Sequence, residues 1–285
     1  MKARIWMTAL AVSAGVCSMS ANADVTGKAT LDGKAPKPKV LSMASVPACA
    51  AQHTNPVYDE SIVAGANNEL ANVVVYVKDG AKLGGQVPSK PVELDQKGCM
   101  YTPHVVAAMV GQELKVKNSD DLLHNVHALA KENGEVNISQ NQKGQENKLD
   151  VTKAVETFKT KCDVHPWMNA WVVVVDSPYY AVTGEDGTFD IKGLKDGKYT
   201  LVAWQEKMGT QEKEIEVKDG KATVDFQFAP KKKAAAAEPI KDARETVAVS
   251  APAAAGEECE FCKESATKLV SATDAKPVQA QAAAK

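Results

Sequence analysis

Residues 161–175 run Lys161-Cys162-Asp163-Val164-His165-Pro166-Trp167-Met168-Asn169-Ala170-Trp171-Val172-Val173-Val174-Val175. A thiol, an imidazole and a thioether fall within residues 162–168, and a continuous apolar run follows directly. Val172 to Val175 suits a strand buried on both faces. A short loop in front of such a strand can wrap its three donors around one ion. Soft sulfur ligands beside imidazole select copper, and two His with one Cys and a weak axial Met make an electron-transfer geometry. That set requires a second His from elsewhere in the chain. A Cys-x₂-His pair is also half of a zinc site, but zinc takes a fourth N, S or carboxylate donor, and Met168 is a poor one.

Asn118-Ser119-Asp120-Asp121-Leu122-Leu123-His124-Asn125-Val126-His127 supplies two candidates for that second His, behind the alternating run Glu113 to Lys117. If residues 124–128 are extended, His124, Val126 and Ala128 share one face and Asn125 and His127 the other. One of the two imidazoles therefore reaches the Cys162 loop, and His124 lies nearer its mouth. Asn125 is placed to hydrogen-bond backbone or the Cys162 sulfur, tying the two ligand segments together.

Cys-x₂-His-x₂-Met before a Val-rich strand resembles the compact ligand loop of amicyanin, and His124-Asn125-Val126-His127 resembles the His-Asn segment of amicyanins and plastocyanins. Tyr101-Thr102-Pro103 to Gly111-Gln112, then Leu114 to Asn118, is similar to the strand that leads into the first ligand. The resemblance covers about residues 91–176. It implies a cupredoxin Greek-key sandwich with one type 1 copper held by His124, Cys162, His165 and Met168, passing single electrons between redox partner proteins. Two departures stand out: Trp167 replaces a smaller aromatic, and Gly98-Cys99 adds a Cys to the first strand. On this reading His165 exposes its ring edge, and Pro166 and Trp167 form an apolar electron-transfer patch for transient docking. Packing within the loop is the other reading of Trp167.

Outward from this unit the body, Asp24 to about Pro230, reads as all-β. Asp-Gly pairs at 32–33, 79–80, 186–187, 196–197 and 219–220 supply turn conformations. Between them lie short runs of period two, such as Val224, Phe226 and Phe228, which mean half-buried antiparallel strands. Thr183-Gly184-Glu185-Asp186-Gly187-Thr188-Phe189, Gly193-Leu194 and Gly197-Lys198-Tyr199-Thr200-Leu201 resemble a carboxypeptidase regulatory-like, transthyretin-like β-sandwich. Thr26-Gly27-Lys28-Ala29 to Gly33 and Ala71-Asn72-Val73-Val74-Val75 are similar to its early strands. The expected organisation is a cupredoxin domain, 91–176, inserted into a second sandwich built from 24–90 and 177–230.

The ends read differently. Lys2 and Arg4, the apolar run Ile5 to Val16, and Ala21-Asn22-Ala23 form a secretory signal peptide over 1–23, cleaved near Ala23/Asp24, which places the protein in the periplasm. No later stretch is long and apolar enough to span a bilayer. The leader carries two of the 34 basic residues and none of the 36 acidic ones, so its loss takes the formal charge from −2 to −4. No basic patch suggests nucleic acid. Export permits disulfides, and Cys49 with Cys99 is the favoured pair over free thiols. Cys49 and His53 as part of a second metal site lack a further ligand. Residues 231–285, rich in Ala and Lys, cannot bury enough apolar surface to order and read as a disordered tail. Its Cys259-Glu260-Phe261-Cys262 lacks the His of a haem attachment site and reads first as a local redox disulfide. An electron carrier is the leading function. A copper-delivery protein using the same site and the tail thiols is the alternative. An enzyme needs further His clusters, and the mature chain has only His53, His104, His124, His127 and His165.

Overall fold

The computed structural model describes residues 23–230. Residues 1–22, all but the last residue of the expected signal peptide 1–23, and residues 231–285, with Cys259 and Cys262, lie outside the described residues. The fold is all-β, with strands arranged in four sheets.

Two of these sheets come from residues 92–175. One runs Val105–Met109, Asn169–Val175, Glu156–Lys161, His124–Ala128, Val136–Gln140 across its width. The other runs Met100–Thr102, Val92–Lys97, Leu114–Asn118, Glu146–Leu149. Period-two patterning decides which side chains meet between them. Leu114 and Val116 point inward while Lys115 and Lys117 reach outward. Leu94, Leu114, Val116 and Leu149 from one sheet pack on Val126, Phe158, Ala170, Val172 and Val174 from the other.

The other two sheets combine the beginning and end of the body. Ala23–Leu31 pairs antiparallel with Thr188–Leu194 and parallel with the short strands Lys221–Thr223 and Phe226–Phe228. The facing sheet runs Tyr180–Val182, Val74–Val77, Gly197–Gln205, Gly209–Val217. Their shared core includes Val25, Phe189, Ile191 and Phe226 against Val75, Val77, Leu201 and Val217. Gly27 makes one close approach: a Cβ there would lie 1.8 Å from the Val224 carbonyl oxygen. Only a residue without a side chain lets the returning chain pass so near.

Asn169–Val175 is buried on both faces, as its apolar continuity requires. Ala170, Val172 and Val174 enter the core of the first pair of sheets. Val173 and Val175 turn to Val74, Val105 and Ala107, with Trp171, Tyr180 and Trp204 packed around them. Beside this second cluster, His104 Nε2 meets Glu206 Oε1 at 2.8 Å and Trp171 Nε1 donates to Glu206 Oε2 at 2.5 Å.

The Asp-Gly pairs divide by geometry. Asp219 and Gly220 both take positive φ, 50° and 72°, and turn Lys218 back onto Lys221 as a two-residue hairpin. Asp79-Gly80 instead leads into a short 3₁₀ turn, Gly80–Leu83.

Residues 32–72 contain little regular structure, since no apolar period runs through them. A four-residue helix, Pro47–Ala50, sits in a loop closed by the Val40–Tyr58 bridge. Cys49 and Cys99 are joined as a disulfide with Cα atoms 5.7 Å apart. The bond fastens this loop to the first pair of sheets.

Candidate metal centre

Strand pairing assembles the candidate donors. Glu156–Lys161 and Asn169–Val175 are antiparallel neighbours ending in the pair Lys161–Asn169, so residues 162–168 form a hairpin tip. The tip closes on itself through Cys162 N to Met168 O at 3.0 Å and Met168 N to His165 O at 2.9 Å. On the other side of Glu156–Lys161 lies His124–Ala128, paired at His127–Lys161, which brings His124 beside Cys162. His124, Val126 and Ala128 face inward, and the His127 ring lies on the outside between Asp163 and Glu135.

His124 Nδ1 and His165 Nδ1 stand 3.0 Å apart, and Cys162 Sγ lies 3.6 Å from His165 Nδ1. Donor atoms of His124, Cys162 and His165 all fall within 4.8 Å of one another. Met168, at the far end of the tip, is fully buried in the same cluster as Cys162. Cys162 is the one free cysteine among the described residues.

Burial, hydrogen bonds and neighbouring charges shift each of these groups from its ordinary value. Asn125 N donates to Cys162 Sγ at 3.5 Å. Burial pushes the Cys162 thiol up, but the His124 imidazole and the N–H groups of Asn125, His165 and Val164 outweigh it, and the thiol is lowered overall. Burial pulls His124 down, yet Asp120 and Cys162 raise it overall. His165 is lowered, first by burial and then by the charge of His124. His124 Nε2 is engaged by Asp120 Oδ2 at 2.9 Å, which leaves Nδ1 facing the cluster. An imidazole pinned by a carboxylate at its far nitrogen is the usual arrangement of a metal ligand. A convergent thiolate-prone sulfur and two imidazole nitrogens, with a buried thioether beside them, fit copper by donor chemistry.

Asn125 ties the two segments as its position suggested. Its Oδ1 accepts from Asp163 N at 2.5 Å, and its Nδ2 donates to Asn137 Oδ1 at 2.7 Å and Asp163 Oδ2 at 3.2 Å. Two supporting residues were not anticipated. Tyr101, fully buried, donates its hydroxyl to Asn125 O at 2.7 Å and also reaches Lys161 O at 3.3 Å. Asp120 accepts from His124 and from the N–H groups of Gly98 and Cys99 at 2.8 and 2.7 Å. An Asp four residues before a candidate ligand His was the available signal.

The surface differs from expectation. His165 is only 2% exposed, so its ring edge is not presented to solvent. The cause is the loop carrying Pro47–Ala50: sulfurs of Cys49 and Cys99 lie within 4.8 Å of a His165 ring nitrogen. Pro166 is exposed, but Trp167 is half-buried and donates Nε1 to Cys99 O at 3.0 Å. The exposed apolar side chains beside the tip are Leu123, Val164 and Pro166. His53 bonds Gly98 O and His104 bonds Glu206, so neither joins the cluster.

The family model for polysaccharide lyase family 4, domain II, matches residues 151–224. This span includes much of the region that resembles a carboxypeptidase regulatory-like module, and the matching family is a different one. Comparison with curated proteins finds no match. Among solved structures, the chain is similar to a purple cupredoxin from Nitrosopumilus maritimus, at 19% identity over 30% of this chain and 99% of that one, TM-score 0.26. An amicyanin variant in its reduced Cu(I) form matches at 26% identity over 32% and 87%, TM-score 0.27. A copper-containing nitrite reductase from Thermus scotoductus SA-01 matches at 16% identity over 33% and 24%, TM-score 0.27.

Proposed function

We propose that the chain is a periplasmic electron carrier with one type 1 copper held by His124, Cys162, His165 and Met168. One observation carries the reading: an imidazole nitrogen from one strand and an imidazole nitrogen and a sulfur from the hairpin tip converge in a buried site, where Asn125 N donates to that sulfur. Bound there, copper supplies a one-electron couple. The chain's own part is to keep the donors still. Asp120 fixes the ring of His124, Asn125 fixes the tip to the neighbouring strand, and Tyr101 anchors both backbones. A site held this firmly needs little rearrangement when the charge of the ion changes.

The remaining histidines support a carrier over an enzyme. His53, His104 and His127 are each committed elsewhere, to Gly98 O, Glu206, and Asp163 with Glu135. Leu123, Val164 and Pro166 offer redox partner proteins a small apolar surface for transient contact. The sandwich of 91–176 is read as an insertion into the second one, which serves as its scaffold.

The test is spectroscopic. The Cu(II)-loaded protein is expected to be intensely blue and to cycle reversibly, and Cys162→Ser to abolish the colour with the fold retained. An unchanged visible spectrum in that variant refutes the ligand assignment. Met168→Gln is expected to keep copper and lower its potential. A protein that binds only Cu(I), without colour, and releases it readily is a delivery protein instead.

A further inference from the structure

His165 belongs to two groups of donors. Its Nδ1 faces His124 and Cys162. A ring nitrogen of the same residue also forms, with the sulfurs of Cys49 and Cys99, a buried set within 4.8 Å of one another. Cys99 continues the series, lying within 4.8 Å of donor atoms of Asp120 and His124. Potential donors thus run without a gap from Cys49 to the proposed copper ligands.

Cys49 is carried by a segment loosely tied to the rest. The backbone hydrogen bonds of residues 39–59 are internal, such as Leu41 N to Val57 O and Asp59 N to Lys39 O. Among the described residues, none runs from this segment to the strands of 92–175. Four ties hold the segment as a cap: the disulfide, the bond of His53 Nε2 to Gly98 O at 2.7 Å, the contact of Gln52 Nε2 with Cys99 Sγ at 3.8 Å, and an apolar cluster of Met43, Val46 and Cys49 on Met100 and Trp167. Without the covalent tie, the two sulfurs are free to separate and to meet a metal as thiolates, the state in which cysteine ligates.

We propose that Cys49 and Cys99, in their dithiol state, form with His165 a receiving site for Cu(I), and that disulfide formation then closes the cap over the finished centre. The proposal rests on the copper reading of the neighbouring donors. Thiolates select Cu(I). His165, common to both sets, would be the ligand shared between the receiving site of Cys49 and Cys99 and the finished centre with Cys162 and His124. Closure is thiol–disulfide exchange with an oxidising disulfide protein. One thiolate attacks the oxidant's S–S bond, the mixed disulfide is resolved by the second thiol, and the oxidant departs as a dithiol carrying two electrons and two protons. Both sulfurs are fully buried in the closed form. Attack requires access, so the closed cap resists reduction and closure is a terminal step.

The experiment takes residues 24–285 with Cys162→Ala, which removes the neighbouring thiolate, and with Cys259→Ser and Cys262→Ser, which remove the tail thiols, so that Cys49 and Cys99 are the only cysteines left. Cu(I) is supplied anaerobically from a chromophoric Cu(I) chelator to the dithiol and disulfide forms. The dithiol form is expected to take one equivalent and the disulfide form none. Adding His165→Ala is expected to weaken binding on the order of tenfold or more. The proposal is overturned if the dithiol form takes no Cu(I), if the disulfide form binds equally, or if His165→Ala leaves affinity unchanged. Repeating the titration with Cys162→Ser guards against a folding loss in the alanine variant. Because Cys162 is absent throughout, the result is independent of the blue spectrum that tests the type 1 centre in the wild type.

Discussion

Asp120 brings three N–H groups to one carboxylate: His124 Nε2, Gly98 N and Cys99 N. Burial pushes this carboxyl up, but these three donors hold it below its usual value overall. Gly98 and Cys99 both take positive φ, 65° and 54°, so the chain turns there and aims two consecutive amides at the same group. Asp120 therefore couples the disulfide-bearing turn to the ring of His124, a turn at the point where the sequence placed Cys99 within the first strand. Asp120→Asn is expected to cost about 1–3 kcal/mol of stability, because one buried donor loses its acceptor. Copper affinity is expected to fall about 10–100-fold through the loosened ring. Urea unfolding and a copper competition titration check both figures. A variant with unchanged affinity removes Asp120 from any positioning role. The candidate donors could be named from sequence because three of them lie in one short loop and the fourth begins a strand. Asp120 was not, since its meaning depends on a turn at Gly98-Cys99 that only strand pairing brings near. The burial of His165 was hidden for the same reason: its cover comes from a segment more than a hundred residues earlier, with no period to reveal it.

At the scale of elements, Asn169–Val175 does two jobs with one apolar run. Its even-numbered residues build the core behind the candidate centre, and Val173 and Val175 build the cluster shared with the second pair of sheets. Continuity of apolar residues announced a doubly buried strand, and the all-β character followed from the period-two runs around it. What covers the second face could not be read, because Val74, Val105 and Trp204 come from three distant strands. The two faces make a separable prediction. Val172→Ala is expected to cost about 2 kcal/mol in the core that carries the donors, with a broadened copper spectrum. Val173→Ala is expected to cost about the same and leave the copper spectrum as it was, since its cavity opens toward the other sheets. Equal spectral changes in the two variants count against the division of faces.

At the scale of the molecule, the second pair of sheets meets the first through an apolar cluster and one buried ionisable contact, His104–Glu206 with the Trp171 indole. The side chains of His104 and Glu206 are 4% and 3% exposed. Such a contact is invisible to patterning, because its partners are 102 residues apart and each looks ordinary in its own segment. Burial pushes the Glu206 carboxyl up, but the His104 hydrogen bond and charge, the Lys207 charge and the Trp171 N–H outweigh it and hold it below the usual glutamate value. A carboxyl lowered on folding binds fewer protons in the folded state than in the unfolded one. Its contribution is therefore fully present above the ordinary value, near ~4.3, and is lost as pH falls through the lowered folded value. Glu206→Gln removes that contribution and sets an amide nitrogen or oxygen against donors arranged for a carboxylate. The variant is expected to be less stable than wild type by about 1–3 kcal/mol near neutral pH. That gap is expected to narrow as acid protonates Glu206 in the wild type. Urea midpoints of both proteins, measured from about pH 7 down to about pH 3, read the difference directly. A gap that stays constant across that range means Glu206 contributes by shape alone, and the charge at this junction carries no stability.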